Sequence, residues 1–233
     1  MTGTASSMDA VAAPRGGQRR VRLWLGAALL AAGAAVLGYV GWQLIGTNIV
    51  SERRQTELVE QLQDHWEASP GSQLGKDQPT DFGEAAALIR IPRFGDDYVM
   101  PALEGVGDEE LSSGFGHFDG AAGPGQLGNY ALAAHRVTHG EPLRDMPSLR
   151  PGDTVLVETR DAIYTYELDT DPNDLVVGFD ASWVLAAAPA NPDPGGVQPE
   201  GAPELITLVT CAELFHTEDR MVAFGHLVAR EDK

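Results

Sequence analysis

The sequence predicts a mainly β domain, a barrel or a sandwich, that follows an N-terminal membrane-spanning helix. Two observations carry this prediction. Residues 23–46 contain no charged side chain and are mostly Ala, Leu, Gly and Val, a run long enough to cross the hydrocarbon core of a bilayer. Beyond residue 86, short runs rich in branched aliphatic residues alternate with turns that contain Gly and Pro, and no sustained helical pattern occurs. Such a pattern is typical of barrels and sandwiches.

The chain divides into four predicted parts. Residues 1–22 form a basic tail, 23–46 the transmembrane helix, 47–85 a helical stalk with a flexible linker, and 86–233 the folded domain. The tail has a net charge of +3, and an excess of Arg and Lys marks the cytoplasmic side of a membrane helix. We therefore expect a single-pass protein of the cell membrane with a cytoplasmic N-terminus and an extracellular domain. A cleaved signal peptide is the alternative, although its apolar region usually has roughly 7–15 residues.

The overall charge argues against one class of partner. The whole chain has a net charge of −18 at pH 7, so the part after the tail carries −21. Nucleic-acid binding depends on neutralising phosphates with Lys and Arg, and we expect no nucleic acid as a partner. His and Cys residues do not cluster with the spacing of metal ligands. The sequence therefore predicts neither a metal site nor another cofactor.

Local patterns predict the individual elements in chain order. Apolar residues at three- and four-residue steps predict a helix over 51–68, interpreted as the stalk, and 69–83 has linker composition. Anchor and stalk are expected to contribute nothing to the chemistry. Strands are predicted at 87–91, 99–103, 129–134, 154–159, 162–168, 175–177, 205–211 and 221–228, with a short helical turn at 142–149. Loops are predicted at 114–128, 186–203 and 212–219.

The chain contains one cysteine, Cys211, at the end of a predicted buried strand. Arg220 opens the next strand, and antiparallel pairing of the two would bring both residues to the same edge of the sheet. A neighbouring guanidinium favours the thiolate, which makes Cys211 a candidate nucleophile. The alternative is that Cys211 is a small buried hydrophobic residue. A single cysteine cannot form an internal disulfide, which favours a functional role in an extracellular domain.

Six histidines could act as a base beside this thiol. His135 is the best placed, because it ends a strand of small residues and begins a loop, where scaffolds present catalytic groups. His216, in the loop after the cysteine, remains possible. The others lie in the predicted stalk, in loops or at the far end of the last strand: His65, His117, His139 and His226.

Several motifs together resemble the sortase signature, over residues 87–229. They are Thr207-Leu208-Val209-Thr210-Cys211 with Arg220 nine residues on, Asn129-Tyr130-Ala131-Leu132-Ala133-Ala134-His135-Arg136, the Ile91-Pro92 start, Gly125-Gln126-Leu127-Gly128-Asn129, and Leu149-Arg150-Pro151-Gly152-Asp153. The run from His135 to Pro142 is most similar to class E sortases of actinobacteria. One position departs from the pattern: Ala134 stands where a glycine commonly precedes the histidine.

The resemblance implies an eight-stranded sortase-type β-barrel with short helices and a cysteine transpeptidase of Gram-positive cell envelopes. It implies that Cys211 is the nucleophile, His135 the general acid/base and Arg220 the residue that binds substrate and stabilises the oxyanion, while Thr210 helps to line the substrate site. The implied substrates are secreted proteins with an LPXTG- or LAXTG-like C-terminal sorting signal, cleaved between Thr and Gly and joined to an amine of a peptidoglycan precursor. Two alternatives stay open: a pilin-polymerising sortase with a lysine acceptor, and a non-catalytic, membrane-anchored binding domain.

Overall fold

The structure is a computed structural model. It describes residues 15–42, 46–68, 78–80, 83–211 and 218–233. The chain forms two compact units, Met1–Trp42 and Gln43–Lys233. In the described part of the first unit, helix α1 (Arg15–Gly41) contains a stretch, Val21–Gly41, that is long and apolar enough to cross a membrane. Its large apolar side chains are exposed. This helix agrees with the one predicted at residues 23–46, of which 43–45 lie outside the described residues.

The second unit is built mainly from strands. Its helices are α2 (Thr47–Ala68) and α3 (Asp108–Ser113). Its strands are β1 (Gln78–Thr80), β2 (Gly83–Arg90), β3 (Met100–Glu104), β4 (Phe115–His117), β5 (Gly128–Ala133), β6 (Thr154–Glu158), β7 (Ala162–Leu168), β8 (Val176–Gly178), β9 (Glu204–Cys211) and β10 (Asp219–Asp232). Short 3₁₀ turns include Pro92–Phe94, Met146–Ser148, Pro172–Asp174 and Ser182–Leu185.

Eight of these strands close into a barrel. Their order is β2-β3-β4-β5-β9-β10-β7-β6, and pairing of β6 with β2 completes the circle. The pairs β3–β4 and β5–β9 are parallel, and the other neighbours around the barrel are antiparallel. The two remaining strands lie outside this circle, β1 on β2 and β8 on β10. The eight-stranded barrel that the sequence resemblance implied is thus confirmed.

The barrel interior is filled by the inward-facing residues of each strand. In β6, buried and partly exposed positions alternate, so that Val155 and Val157 point into the core. Tyr130, Tyr166 and Phe115 are the largest side chains buried in this core. Burial raises the pKa of Tyr166 to about 12, so its hydroxyl stays protonated, and it accepts a hydrogen bond from Gly125 N at 2.7 Å.

Strand β9 is buried on both faces, which explains its nearly continuous apolar sequence. Ile206 and Leu208 point into the barrel. On the outer face, Val209 packs in a second cluster with Val184 and Phe224. The 3₁₀ turn Ser182–Leu185 therefore covers the outside of the strand that ends in Cys211.

Helix α2 packs against the outside of the barrel. Leu58 and Leu62 are buried against Leu88 of β2 and Leu103 of β3. The helix predicted at 51–68 is thus present, but it lies on the barrel instead of standing apart as a stalk. The physical reason is that β2 and β3 have apolar residues on their outer faces as well, and burying these with the helical apolar stripe is favourable.

Two short elements occur where the sequence predicted irregular structure. Strand β4 lies within the predicted loop 114–128, and its central residue is Gly116, where a side chain would collide with the carbonyl oxygen of Gly105. Close backbone approach thus explains a glycine inside a strand. Strand β1 lies in the predicted linker 69–83, of which 69–77 and 81–82 are outside the described residues. So is most of the predicted loop 212–219.

Candidate active site

Strands β9 and β10 bring Cys211 and Arg220 opposite each other. Their antiparallel register pairs Cys211 directly with Arg220, and Thr210 with Met221. Residues opposed in this way have Cα atoms about 4.5–5.5 Å apart. The proximity expected from the sequence is therefore a consequence of the strand register.

His135 reaches the same edge from the other side of β9. Strand β5 runs parallel to β9, with Ala133 paired to Val209. One residue further, Ala134 N donates a hydrogen bond to Val209 O at 3.2 Å. His135 follows at once, so it leaves β5 at the end of the barrel where β9 reaches Cys211. The three predicted site residues thus belong to three neighbouring strands or their ends.

A cavity of about 480 Å³ opens at this edge. Both His135 and Arg220 line it, and most of the remaining wall is apolar, with Leu111, Phe118, Val209 and Phe179 among its side chains. This size and composition are usual for a ligand site, in which a few polar groups orient a largely apolar ligand.

Arg220 is held in a defined place at the cavity wall. Its guanidinium lies over the ring of Phe179, with Cζ 5.0 Å from the ring centroid, and Nη1 donates to Asp219 O at 3.1 Å. Phe179 follows β8 and is 75% exposed. A cation over an aromatic face at an exposed site gains roughly 0.5–1 kcal/mol, so this contact favours one guanidinium position without fixing it rigidly.

The ring of His135 stacks on the ring of His139. The centroids are 4.6 Å apart and the planes meet at 27°. Burial lowers the pKa of His139, against a smaller opposite effect of Asp108. Between this lowered pKa and the ordinary one, His139 is mostly neutral and so places little positive charge beside the His135 ring. The sequence interpretation placed His139 in a loop and missed this contact, although the four-residue spacing of the two histidines was visible.

Thr210 is buried, and its hydroxyl donates to Ala134 O at 2.7 Å. It is not among the cavity-lining residues that the structure describes. Its place indicates that it ties the end of β9 to the segment that carries His135, whereas contact with substrate stays a prediction. Ala134 is buried and its φ is not positive, so the methyl group found in place of the usual glycine causes no backbone strain there.

The other histidines make structural contacts or lie elsewhere. His117 is buried and contacts Glu104 Oε2 at 2.8 Å and Ala122 O at 3.1 Å. His226 contacts Asp169 Oδ1 at 2.6 Å. His65 lies on α2, and His216 lies outside the described residues. Within the described ranges, no group of three or more His, Cys, Asp or Glu side chains could hold a metal ion.

Comparisons with known proteins place this geometry in a family. The sequence model of the family described as Sortase domain matches residues 89–228. Sortase SrtE1 of Streptomyces coelicolor is 33% identical over 218 residues, which covers 88% of this chain and 56% of that protein. The chain therefore spans little more than half the length of this relative.

Two solved structures are similar as well. Sortase E from Streptomyces avermitilis superposes with a TM-score of 0.56 at 34% identity, covering 66% of this chain and 93% of that one. Sortase E1 from Streptomyces coelicolor with a tripeptide in the active site gives a TM-score of 0.53 at 33% identity, covering 63% and 89%. The residues that match the family, 89–228, include most strands of the barrel and the cavity edge described above, and the chain belongs to the sortase family.

Proposed function

We propose that this protein is a membrane-anchored cysteine transpeptidase. Its substrate is a C-terminal sorting signal of LPXTG or LAXTG type, cleaved between Thr and Gly, and its acceptor is an amine of a peptidoglycan precursor. The observation that supports this best is the meeting of three strand ends: Arg220 is paired with Cys211 in the ladder, and His135 and Arg220 line one cavity.

In the first half-reaction, the Cys211 thiolate attacks the carbonyl carbon of the substrate threonine. The carbonyl oxygen becomes an oxyanion, which the Arg220 guanidinium stabilises by donating hydrogen bonds. The tetrahedral intermediate then collapses, the C–N bond breaks, and protonated His135 gives its proton to the departing glycine amine. The products are a thioester on Cys211, neutral His135 and a free C-terminal fragment.

In the second half-reaction, the acceptor amine attacks the thioester. His135 now accepts the proton that the amine loses as the new C–N bond forms. The Cys211 thiolate leaves, and the enzyme returns to its starting charge state. One difficult exchange of amide bonds is thus divided into two easier steps.

The cavity suits a peptide that is apolar apart from its reacting end. Apolar walls such as Leu111 and Phe118 accept aliphatic side chains of the signal, while His135 and Arg220 face the scissile bond. An extended peptide lying along this wall would place the carbonyl of its scissile bond between the His135 imidazole and the Arg220 guanidinium.

Anchoring is part of the proposal. The exposed apolar side chains of Val21–Gly41 support a retained membrane helix, and the arginine excess in residues 1–22 supports a cytoplasmic N-terminus. Protease added to intact protoplasts is expected to remove the domain that follows the helix. A protected domain would show the opposite orientation, and a mature chain that starts beyond residue 46 would show a cleaved signal peptide.

The chemistry is tested with sorting-signal peptides that carry Pro or Ala at the second position. The full chain in detergent is mixed with each peptide and with either a peptidoglycan-precursor amine or a lysine ε-amine, and products are read by mass spectrometry. We expect a thioacyl adduct on Cys211 and transfer to the precursor amine. Transfer to lysine alone would identify a pilin-polymerising enzyme. Unchanged peptides, or cleavage by a Cys211→Ala variant, would refute the proposal.

A further inference from the structure

The loop that begins at His135 contains an unusual backbone segment. Three consecutive residues have positive φ angles: His139 at 56°, Gly140 at 75° and Glu141 at 52°. Side-chain-bearing residues rarely adopt this conformation, and it persists only where the surrounding structure holds it.

Helix α2 supplies a hydrogen bond to each of the three residues. Gln55 Nε2 donates to His139 O at 2.9 Å. Gly140 N donates to Asn48 Oδ1 at 3.1 Å, and Asn48 Nδ2 donates to Glu141 Oε1 at 2.8 Å. A side chain at Gly140 would collide with the Gln55 amide. We call this set of contacts, from Asn48 and Gln55 to residues 139–141, the loop clamp.

Gln55 occupies a buried place that packing alone does not explain. The side chain is 3% exposed, and its Oε1 is the only buried side-chain N or O atom without a hydrogen-bond partner among the described residues. A buried acceptor without a partner is unfavourable, so an apolar side chain would pack at lower cost. An apolar residue could not, however, donate the hydrogen bond that Gln55 Nε2 gives to His139 O.

The clamp is anchored to the barrel and reaches the proposed acid/base. Leu58 and Leu62 fix α2 against β2 and β3. At the other end, the His139 ring stacks on the His135 ring. Leu143 N donates to His135 O at 2.9 Å and closes the loop. Displacement of residues 139–141 would therefore move a direct neighbour of the His135 imidazole.

We propose that helix α2 is a positioning element for His135, and that Asn48 and Gln55 are positioning residues acting through the loop clamp. The proposal rests on the proposed function insofar as it takes His135 as the acid/base. The helix expected to be a passive stalk thereby becomes part of the structure that sets the catalytic geometry. Proton transfer demands hydrogen-bond reach between the imidazole and the leaving amine, so small displacements of the ring slow turnover more than they weaken peptide binding.

The test compares three clamp variants of the full chain in detergent with a control on the same helix. Gln55→Met keeps the volume and removes the donor, Gln55→Ala also removes the volume, and Asn48→Ala removes both Asn48 hydrogen bonds. Glu57→Ala is the control, because Glu57 is exposed on α2. The measurements are kcat and KM on a sorting-signal peptide, the melting temperature, and hydrogen–deuterium exchange of a peptide covering residues 136–143.

We expect Gln55→Met and Asn48→Ala to lower kcat by about 10- to 100-fold, the scale of a misplaced catalytic group. KM should stay within about twofold, because most of the apolar wall, including Leu111, Phe118 and Phe179, lies outside the loop that the clamp holds. Glu57→Ala should match the wild type. Exchange over 136–143 should be faster in the clamp variants. A normal kcat in both Gln55→Met and Asn48→Ala would overturn the proposal. So would a fall in kcat that is fully accounted for by a smaller fraction of folded enzyme.

The exchange measurement separates this proposal from the proposed function. If the wild type joins no peptide to any amine, the proposed function fails. Faster exchange in Asn48→Ala than in Glu57→Ala would still establish the clamp, and equal exchange would refute it.

Discussion

The hydroxyl of Thr210 donates a hydrogen bond to the carbonyl oxygen of Ala134 at 2.7 Å. This single contact joins the residue before the proposed nucleophile to the residue before the proposed acid/base. Both residues are buried, so water cannot readily replace the bond if it is lost. This buried hydrogen bond therefore helps to fix where Cys211, at the end of β9, lies relative to His135, just after the parallel strand β5.

Removal of this bond should reduce both stability and turnover. Thr210→Val keeps the shape of the side chain but leaves the Ala134 carbonyl without the hydroxyl. An unsatisfied buried group costs about 1–3 kcal/mol, and we expect a loss of this size in the free energy of unfolding together with a lower kcat. Thr210→Ser, which keeps the hydroxyl, is the matched control. Equal activity of the two variants in a peptide-cleavage assay would contradict a positioning role.

The sequence predicted those parts of the site that depend on neighbours along the chain. Cys211 and Arg220 end one strand and open the next, so antiparallel pairing alone brings them together. His135 joins them through the parallel pairing of β5 and β9, which are far apart in sequence. No local pattern specifies that pairing. The sequence analysis selected His135 only from its place at the end of a strand, and the resemblance to sortases implied its role beside Cys211.

The missed parts have a similar cause. The apolar stripe of α2 was visible, but its partners Leu88 and Leu103 lie on strands whose outer faces look like ordinary core positions. The stacking of His135 on His139 depends on a loop with positive φ angles, and contacts from Asn48 and Gln55 of the distant helix α2 support that loop. Such tertiary support cannot be identified from the residues of the loop alone.

A shortened chain tests the importance of α2. The sequence interpretation implied that a chain starting near Asp81 is soluble and active. The structure leads us to expect the opposite, because removal of α2 exposes Leu88 and Leu103 and breaks the loop clamp. A chain starting at Thr47 keeps both and is the control. Size-exclusion chromatography and peptide cleavage should show that the chain starting at Thr47 is soluble and active, and that the chain starting at Asp81 is aggregated or weakly active. Equal solubility and equal cleavage rates of the two chains would contradict this expectation.

Substitutions at the three proposed catalytic residues should have separable effects. Cys211→Ala should abolish cleavage and the thioacyl adduct, since the chain has no other thiol. His135→Ala should lose turnover, and the need for a thiolate and an imidazolium together predicts a bell-shaped pH profile. Arg220→Lys loses the planar set of donors and should lower kcat by about 10²–10³. His216→Ala is the control, and an inactive His216→Ala beside an active His135→Ala would reverse the assignment of the base.

The contact between Phe179 and Arg220 should affect substrate use moderately. Phe179→Ala removes the ring under the guanidinium, so Arg220 should sample more positions. We expect kcat/KM to fall by about 2- to 5-fold, corresponding to a cation–π energy of roughly 0.5–1 kcal/mol. Leu127→Ala is a matched control, because Leu127 is equally exposed at 75% and does not line the cavity. Equal kcat/KM values for the two variants would show that the stacking has no role in turnover.

His139 should make the stability of the domain depend on pH in a defined direction. Burial lowers the pKa of His139 in the folded state, while in the unfolded chain it titrates near the ordinary value of about 6.5. Between these two pKa values the unfolded state binds more protons, so protonation favours unfolding and stability falls as the pH drops below about 6.5. This loss ends once the pH is below the folded-state pKa.

His139→Asn isolates that contribution. Asparagine tolerates the positive φ of this position better than most residues, and it does not titrate. Urea unfolding of both proteins at pH 7.5, 6.5 and 5.5 should show that the wild type loses more stability on acidification than His139→Asn, while groups common to both cancel in the comparison. The same variant lacks the ring that stacks on His135, so its kcat should fall even at pH 7.5, measured under conditions in which both proteins are fully folded. Identical pH dependence of unfolding in the two proteins would mean that His139 has the same pKa in the folded and unfolded states. A normal kcat in His139→Asn would mean that the stacked ring does not help to position His135.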